Sequence, residues 1–229
     1  MIYNESDGPL ILAHRGGGGE APENTMEAFQ HATELGITHL ETDVRATRDG
    51  TLYLRHNATS MLPNRPLRPG SRSFTTLIEL FDTFPEACFA IDPKHDFAVE
   101  HLAKLIVERS MEQRVCIGSS FDARTERTAD LIEKLGGTRP VTAVASVSTL
   151  TKLLLGAANS DTSQATYIYV PARLVTDRVV NNAHRKGLKV IAWTLNSESD
   201  IAGTLATGID GFMTDYPTTA LNVVHSMQA

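Results

Sequence analysis

The sequence predicts a single (β/α)8 barrel running through all 229 residues, with a β-hairpin projecting after the second strand and a short insertion at 57–74. Three observations carry that expectation. Beyond Thr75, short apolar runs alternate with longer segments of helical period, as in parallel strands joined by crossover helices. Adding the runs 10–13 and 37–46, and leaving out the second arm of the hairpin, brings the strands to eight. His14, Glu41, Asp43, Asp92, Lys94, Ser120, Trp193 and Asp215 all fall at or just past strand ends, the face on which such barrels carry their sites.

Taken in order, the run 10–13 ends at His14 and is followed by Gly16 to Gly19, which reads either as backbone that approaches a phosphate or as a loose loop. Met26, Phe29, Ala32 and Leu35 then fall at helical spacing; Asn24-Thr25 and Glu27 mark the start of this helix and Gly36 its end. The stretch 37–46 alternates, so that His39, Glu41 and Asp43 share one face while Leu40, Thr42 and Val44 share the other. The turn Thr47-Arg48-Asp49-Gly50 leads into a second strand-like run, 51–56, and so short a connection permits only an antiparallel hairpin. Folding about Asp49-Gly50 pairs residues whose numbers sum to about 99 and sets His56 beside Asp43.

The segment 57–73 carries three prolines and no periodicity; its Arg65, Arg68 and Arg72 read as either solvated charges or attractors of an anionic substrate. Helices are then expected at 76–84, 97–109, 123–135, 150–157, 177–186 and 198–206, and strands at 88–92, 115–119, 141–145, 167–170, 189–194 and 211–214. Residues 159–164 have no assigned role.

Two carboxylates on one buried strand face are costly unless a cation compensates them, and oxygen donors suit Mg2+ or Ca2+ better than zinc. Composition is that of an ordinary globular chain, 41% hydrophobic and 21% charged, and the net charge of -6 argues against general nucleic-acid binding. The N-terminal stretch lacks the basic flank and long apolar run of a secretion signal or anchor, so a cytoplasmic protein with no stable membrane insertion is expected. Cys88 and Cys116 read as core thiols of a reducing compartment.

HRGGGGEAPENTMEAF from His14, then Glu41-Thr42-Asp43-Val44, the T-x-D-G turn and His56, resemble the opening signature of the glycerophosphodiester phosphodiesterase family. GLKVIAWTLN at 187–196, GIDGFMTDYP at 208–217 and Ser120-Phe121-Asp122 are similar to later parts of the family pattern, so the likeness covers roughly residues 9–222. It implies metal-dependent hydrolysis of a small phosphodiester to glycerol 3-phosphate and an alcohol. His14 and His56 would exchange protons, Arg15 and Lys94 would grip the phosphate, Trp193 would form an apolar wall, and Glu41, Asp43 and Asp92 would hold the metal. Asp92 stands where relatives carry glutamate, Asn57 where they carry aspartate after the histidine, and the insertion is short. These departures motivate two alternatives: a lysophospholipase D or another phosphodiesterase, and a catalytically weakened binding barrel. Self-association into a homo-oligomer is left open.

Other residues have blander readings. His39 is expected to be a core histidine, and His31, His101, His184 and His225 to face solvent from helices. Asp215 is expected to cap the last turn or hold a loop, Asn24 to serve as either cap or site, and His95 is undecided.

Overall fold

Most helices begin where a short polar side chain takes up a backbone N–H that the first turn leaves free. In a computed structural model that describes residues 3, 8–57, 74–155 and 164–228, Thr25 accepts from Ala28 N to open α1 (Met26–Glu34). Thr76 and Glu79 form a reciprocal capping box at α2 (Leu77–Thr83). The imidazole of His95 caps α3 (Asp96–Glu108), α4 (Asp122–Lys134) follows without a side-chain cap, and Ser146, Thr176 and Ser197 cap α5 (Val147–Leu154), α6 (Asp177–His184) and α7 (Glu198–Leu205). The cap explains one departure from expectation, since Ser146 starts α5 three residues early; of the pair Asn24-Thr25 it is Thr25 that caps α1.

The strands are β1 (Leu10–Ala13), β2 (His39–Ala46), β3 (Leu52–Leu54), β4 (Cys88–Pro93), β5 (Val115–Ser119), β6 (Val141–Val144), β7 (Tyr167–Pro171), β8 (Lys189–Trp193) and β9 (Gly211–Thr214). They lie in the order β1-β9-β8-β7-β6-β5-β4-β2, and β1 pairs with β2 to close a barrel of eight parallel strands. Helix α8 (Pro217–Gln228) follows β9 and carries His225, as expected of a helical residue. Strand β3 lies antiparallel to the upper part of β2, beyond the residues through which β2 meets β1.

Two apolar layers lie between sheet and helices, one around Leu40, Phe89 and Leu102, the other around Ile168, Val190 and Phe212. A third group, including Leu12, Cys88, Ala90, Cys116, Ala143, Tyr169 and Met213, fills the barrel interior. This inward set carries the site at its C-terminal end. Residues 58–73 with Arg65, Arg68 and Arg72, and residues 159–163, lie outside the described residues.

Candidate active site

Strand β1 ends at Ala13 and the chain turns at once through His14–Gly16. Arg15 takes a φ of 53°, a left-handed conformation that costs a non-glycine residue about 1–3 kcal/mol. Two hydrogen bonds hold it there: Arg15 N donates to Glu41 Oε2 at 2.9 Å, and Asn24 N donates to Arg15 O at 2.8 Å. The glycines that follow are packed, not loose. A Cβ on Gly16 (φ 84°) would lie 2.8 Å from Ala28 Cβ, and one on Gly19 would lie 2.6 Å from the Tyr216 ring. Their smallness lets the His14 turn seat between α1 and the start of α8.

Closure of the barrel sets Ala13 opposite Thr214, which brings Asp215 to His14. His14 Nδ1 donates to Asp215 Oδ1 at 2.6 Å, and Asn196 holds the other side of that carboxylate, Nδ2 donating to Oδ2 at 2.7 Å. Burial alone would lower the His14 pKa, but the Asp215 bond and the charge of Glu41 outweigh it and raise the imidazole above its ordinary 6.5. Burial pushes Asp215 the other way, up, and its bonds to His14 and Asn196 bring it below its ordinary value. Asp215 therefore orients His14 rather than merely capping a turn. Its place at a strand end was legible, but its pairing with His14 was not, because the two lie 201 residues apart.

Across the mouth, Asp43 stands next to Asp92 in the β2–β4 register. Lys94 Nζ lies 2.7 Å from Asp43 Oδ1 and 2.7 Å from Asp92 Oδ2. Arg15 Nε approaches Asp43 Oδ2 at 3.1 Å without the angle of a hydrogen bond, while its NH1 donates to Glu23 at 2.7 Å. Asn24 resolves to the site: its Nδ2 donates to Asp43 Oδ2 at 3.2 Å, and its Oδ1 accepts from Thr42 Oγ1 at 2.8 Å. Burial would raise Asp43, but Lys94 and Arg15 hold it below the usual carboxylate range. Glu41, fully enclosed and beside Asp43, is pushed up to about 7 by burial first and by that like charge second.

The hairpin register differs by one residue from the expected one. Val44 faces Leu54 and Ala46 faces Leu52, so Arg55, not His56, meets Asp43, with Arg55 N donating to Asp43 O at 2.8 Å. The strand ends at Leu54, and His56 sits past it, where Arg45 clasps its carbonyl through NH2 at 2.7 Å and Nε at 3.2 Å. His56 Nδ1 donates to Asn57 Oδ1 at 3.0 Å, so an amide occupies the place the family gives to a carboxylate. His56 still borders the same cavity as His14.

That cavity has a volume of about 130 Å³. His14, Arg15, Asp43, His56, Asp92 and Lys94 make one wall; Ser119, Ser120, Ala145, Tyr169, Trp193 and Met213 make an uncharged one. Trp193, 38% exposed, stands at the rim as expected of a wall residue. Glu41 lies behind the lining. Sequence reading missed Tyr169, Arg45 and Glu23 because nothing in their local pattern sets them apart from core or surface residues. His39 is a core histidine, its Nε2 donating to Tyr3 O at 3.0 Å. His95 resolves to a helix cap, and His31 and His184 meet Glu20 and Asp210 at the surface.

Two observations bear on a cation. Asp92 Oδ1 is buried without a hydrogen-bond partner, and Glu41 and Asp43 lie buried side by side on one strand face. The donors are all oxygens, which fits Mg2+ or Ca2+. Among the described residues no three His, Cys, Asp or Glu side chains converge closely enough to enclose a metal as they stand, and Lys94 Nζ bridges Asp43 and Asp92.

Cationic side chains suited to phosphate oxygens, gathered with two imidazoles at the catalytic end of a barrel, define the chain as a barrel hydrolase of phosphate esters. Comparison with known proteins narrows the class. The model of the "Glycerophosphoryl diester phosphodiesterase family" matches residues 14–62 and 76–219. The Mycobacterium tuberculosis protein named "Probable glycerophosphodiester phosphodiesterase 2" is 32% identical, covering 91% of this chain and 88% of its own length. A lysophospholipase D of Rattus norvegicus is 24% identical over 95% of this chain and 87% of its own. The structure of an Oleispira antarctica phosphodiesterase in complex with the product sn-glycerol-3-phosphate shares the fold, with a TM-score of 0.76, 19% identity and coverage of 95% and 97%. The chain belongs to the glycerophosphoryl diester phosphodiesterase family and is a phosphodiesterase of that family.

Proposed function

We propose that the protein hydrolyses glycerophosphodiesters to glycerol 3-phosphate and an alcohol, with His14 as the first base and His56 as the first acid. The observation that carries this assignment is the unequal partnering of the two imidazoles. A carboxylate on Nδ1 stabilises the imidazolium that forms when His14 Nε2 takes a proton from the attacking glycerol hydroxyl. His56, its Nδ1–H held by the neutral amide oxygen of Asn57, gives its Nε2 proton to the departing alkoxide. The glycerol oxygen bonds to phosphorus, the phosphorus–alcohol bond breaks, and a cyclic phosphate remains. Water then opens that ring with the two histidines in exchanged roles, which restores both.

Arg15 and Lys94 face the phosphate and oppose the charge that grows on its oxygens. Glu41, Asp43 and Asp92 would hold a divalent cation, Mg2+ or Ca2+, which when bound supplies further charge neutralisation for the phosphate. The orphaned Asp92 Oδ1 supports that role. The substrate is a small molecule whose alcohol faces the uncharged wall with Trp193. Among the described residues no helix is long and apolar enough to cross a membrane. The free, buried thiols of Cys88 and Cys116 support action in the cytoplasm.

Release of glycerol 3-phosphate from glycerophosphocholine is the test, measured before and after chelation and with Mg2+ or Ca2+ added back. Turnover that needs a cation and is lost in His14→Ala is expected. Faster release of choline from lysophosphatidylcholine would move the activity to that of a lysophospholipase D. A folded protein that cleaves neither would sink the catalytic reading in favour of a binding barrel.

A further inference from the structure

Three neighbouring strands fill the barrel interior beneath the cavity unequally. Cys116 and Gly118 of β5, Ala143 of β6 and Tyr169 of β7 turn inward, and the register sets Gly118 opposite Ala143. Glycine and alanine leave room there, and Tyr169 takes it up. A Cβ on Gly118 would lie 2.6 Å from Tyr169 Cε2 and 3.2 Å from its Cζ, so the ring reaches from β7 over β6 onto β5. Its hydroxyl shares a hydrogen bond with Cys116 Sγ, 3.4 Å away, which anchors the far end of the ring two residues down β5. Gly118, Ala145, Tyr169 and Met213 border the cavity across from Arg15 and Lys94, while Cys116 is wholly buried. The Tyr169 ring thus stands between the cavity and the packed interior.

We propose that Tyr169 is a specificity-determining residue: its ring is the floor of the cavity and limits the organic group seated beside the phosphate to a short alcohol such as glycerol, against a ring alcohol such as inositol. The inference rests on the cavity being the substrate site of the proposed phosphodiesterase. Two substitutions move the floor in opposite directions. Tyr169→Ala removes the ring and leaves an opening above Cys116, beside residues too small to fill it. Gly118→Ala meets no backbone obstacle in a strand, but its methyl needs the space of the ring; with the barrel packed below, the ring has to rise into the cavity.

Calorimetric titration of the full chain with glycerol 3-phosphate and with inositol 1-phosphate, Mg2+ present, tests this, and the readout is the ratio of the two dissociation constants. In Tyr169→Ala the ratio is expected to move about tenfold or more toward inositol 1-phosphate, the scale on which pocket size discriminates. In Gly118→Ala both esters should bind at least about fivefold more weakly, with the bulkier one losing more. Ratios unchanged in both variants would overturn the proposal, as would equal losses of both esters in Tyr169→Ala, the mark of a purely structural role. Should Tyr169→Ala fail to fold, Tyr169→Leu keeps apolar packing but does not reach β5; its ratio must move the same way, or the proposal fails. Turnover of glycerophosphocholine by the unmodified chain is scored separately. Turnover with unmoved ratios would sink the size limit and keep the phosphodiesterase, and shifted ratios without turnover would do the reverse.

Discussion

His14 and His56 border one cavity from opposite kinds of structure. His14 sits at the root of the barrel wall, in a left-handed turn braced by packed glycines, with a carboxylate from the last strand end on its Nδ1. His56 sits on the free end of a hairpin arm, its carbonyl held by Arg45 and its ring by the amide of the next residue. The same side chain thus meets a charge supplied by tertiary closure in one case and a neutral dipole supplied by sequence in the other. The proposed division of proton transfer, His14 accepting first and His56 donating first, rests on that difference.

Removing either imbalance should cost most. His14→Ala is expected to lower kcat by about 10²–10⁴-fold, the range of one general acid or base, and His56→Ala by a comparable factor with an alcohol that is a poor leaving group. A substrate with a good leaving group such as p-nitrophenol needs no protonation, so it should rescue His56→Ala and not His14→Ala. Rescue of His14→Ala instead would reverse the assignment.

Asp215→Asn sharpens the comparison by giving His14 the kind of partner His56 has. A base works when neutral, so kcat/KM rises as pH climbs through the His14 pKa, which stands above 6.5 in the unmodified chain. Without the carboxylate, burial remains and lowers that pKa, so the acidic limb of the profile should move to lower pH while the plateau falls by about tenfold or more. Stability follows the same pair. His14 has a raised pKa, so its contribution is full below 6.5 and is lost as pH rises through the raised value. Asp215 has a depressed one, so its contribution is present above 3.8 and is lost as pH falls through the lowered value. The stability difference from Asp215→Asn should therefore peak between those limits, at about 1.5–3 kcal/mol, and shrink on either side when followed by denaturant unfolding.

The two histidines also differ in how far the sequence could anticipate them. Strand ends at Ala13, Ser119 and Thr214 were legible to the residue, because parallel strands buried on both faces read as apolar runs that stop abruptly. The site residues named by the family signature do line the cavity, apart from Glu41 just behind it. What stayed hidden was pairing across distance: Asp215 with His14, Cys116 with Tyr169, Asn24 with Asp43. None of these has a local pattern, since each depends on which strand closes against which. The hairpin register was missed by one for a local reason. The turn at Thr47 to Thr51, knitted by Thr47 N to Thr51 O and by Asp49, leaves Ala46 paired with Leu52, so the sum is 98.

Arg45→Ala tests the hairpin side alone. Its guanidinium makes both hydrogen bonds to the His56 carbonyl and no ligand contact among the cavity-lining residues, so its loss frees the backbone of the arm. A fall in kcat of about tenfold is expected, with the melting temperature little changed and with substantial recovery in Arg45→Lys, which retains one donor. Equal losses for Ala and Lys, or a loss confined to stability, would show that the clasp does not position His56.

The smallest effect belongs to Asn57→Asp, which gives His56 the carboxylate that His14 already has. An ionised acceptor makes a stronger hydrogen bond to Nδ1–H than an amide does and holds the ring more firmly, so kcat/KM should change by less than about fivefold. Because residue 57 is exposed, added salt should shrink even that change. A change of about tenfold or more that persists in high salt would show that the partner on Nδ1 governs His56 as strongly as Asp215 governs His14, and the contrast between buried charge and exposed amide would lose its meaning.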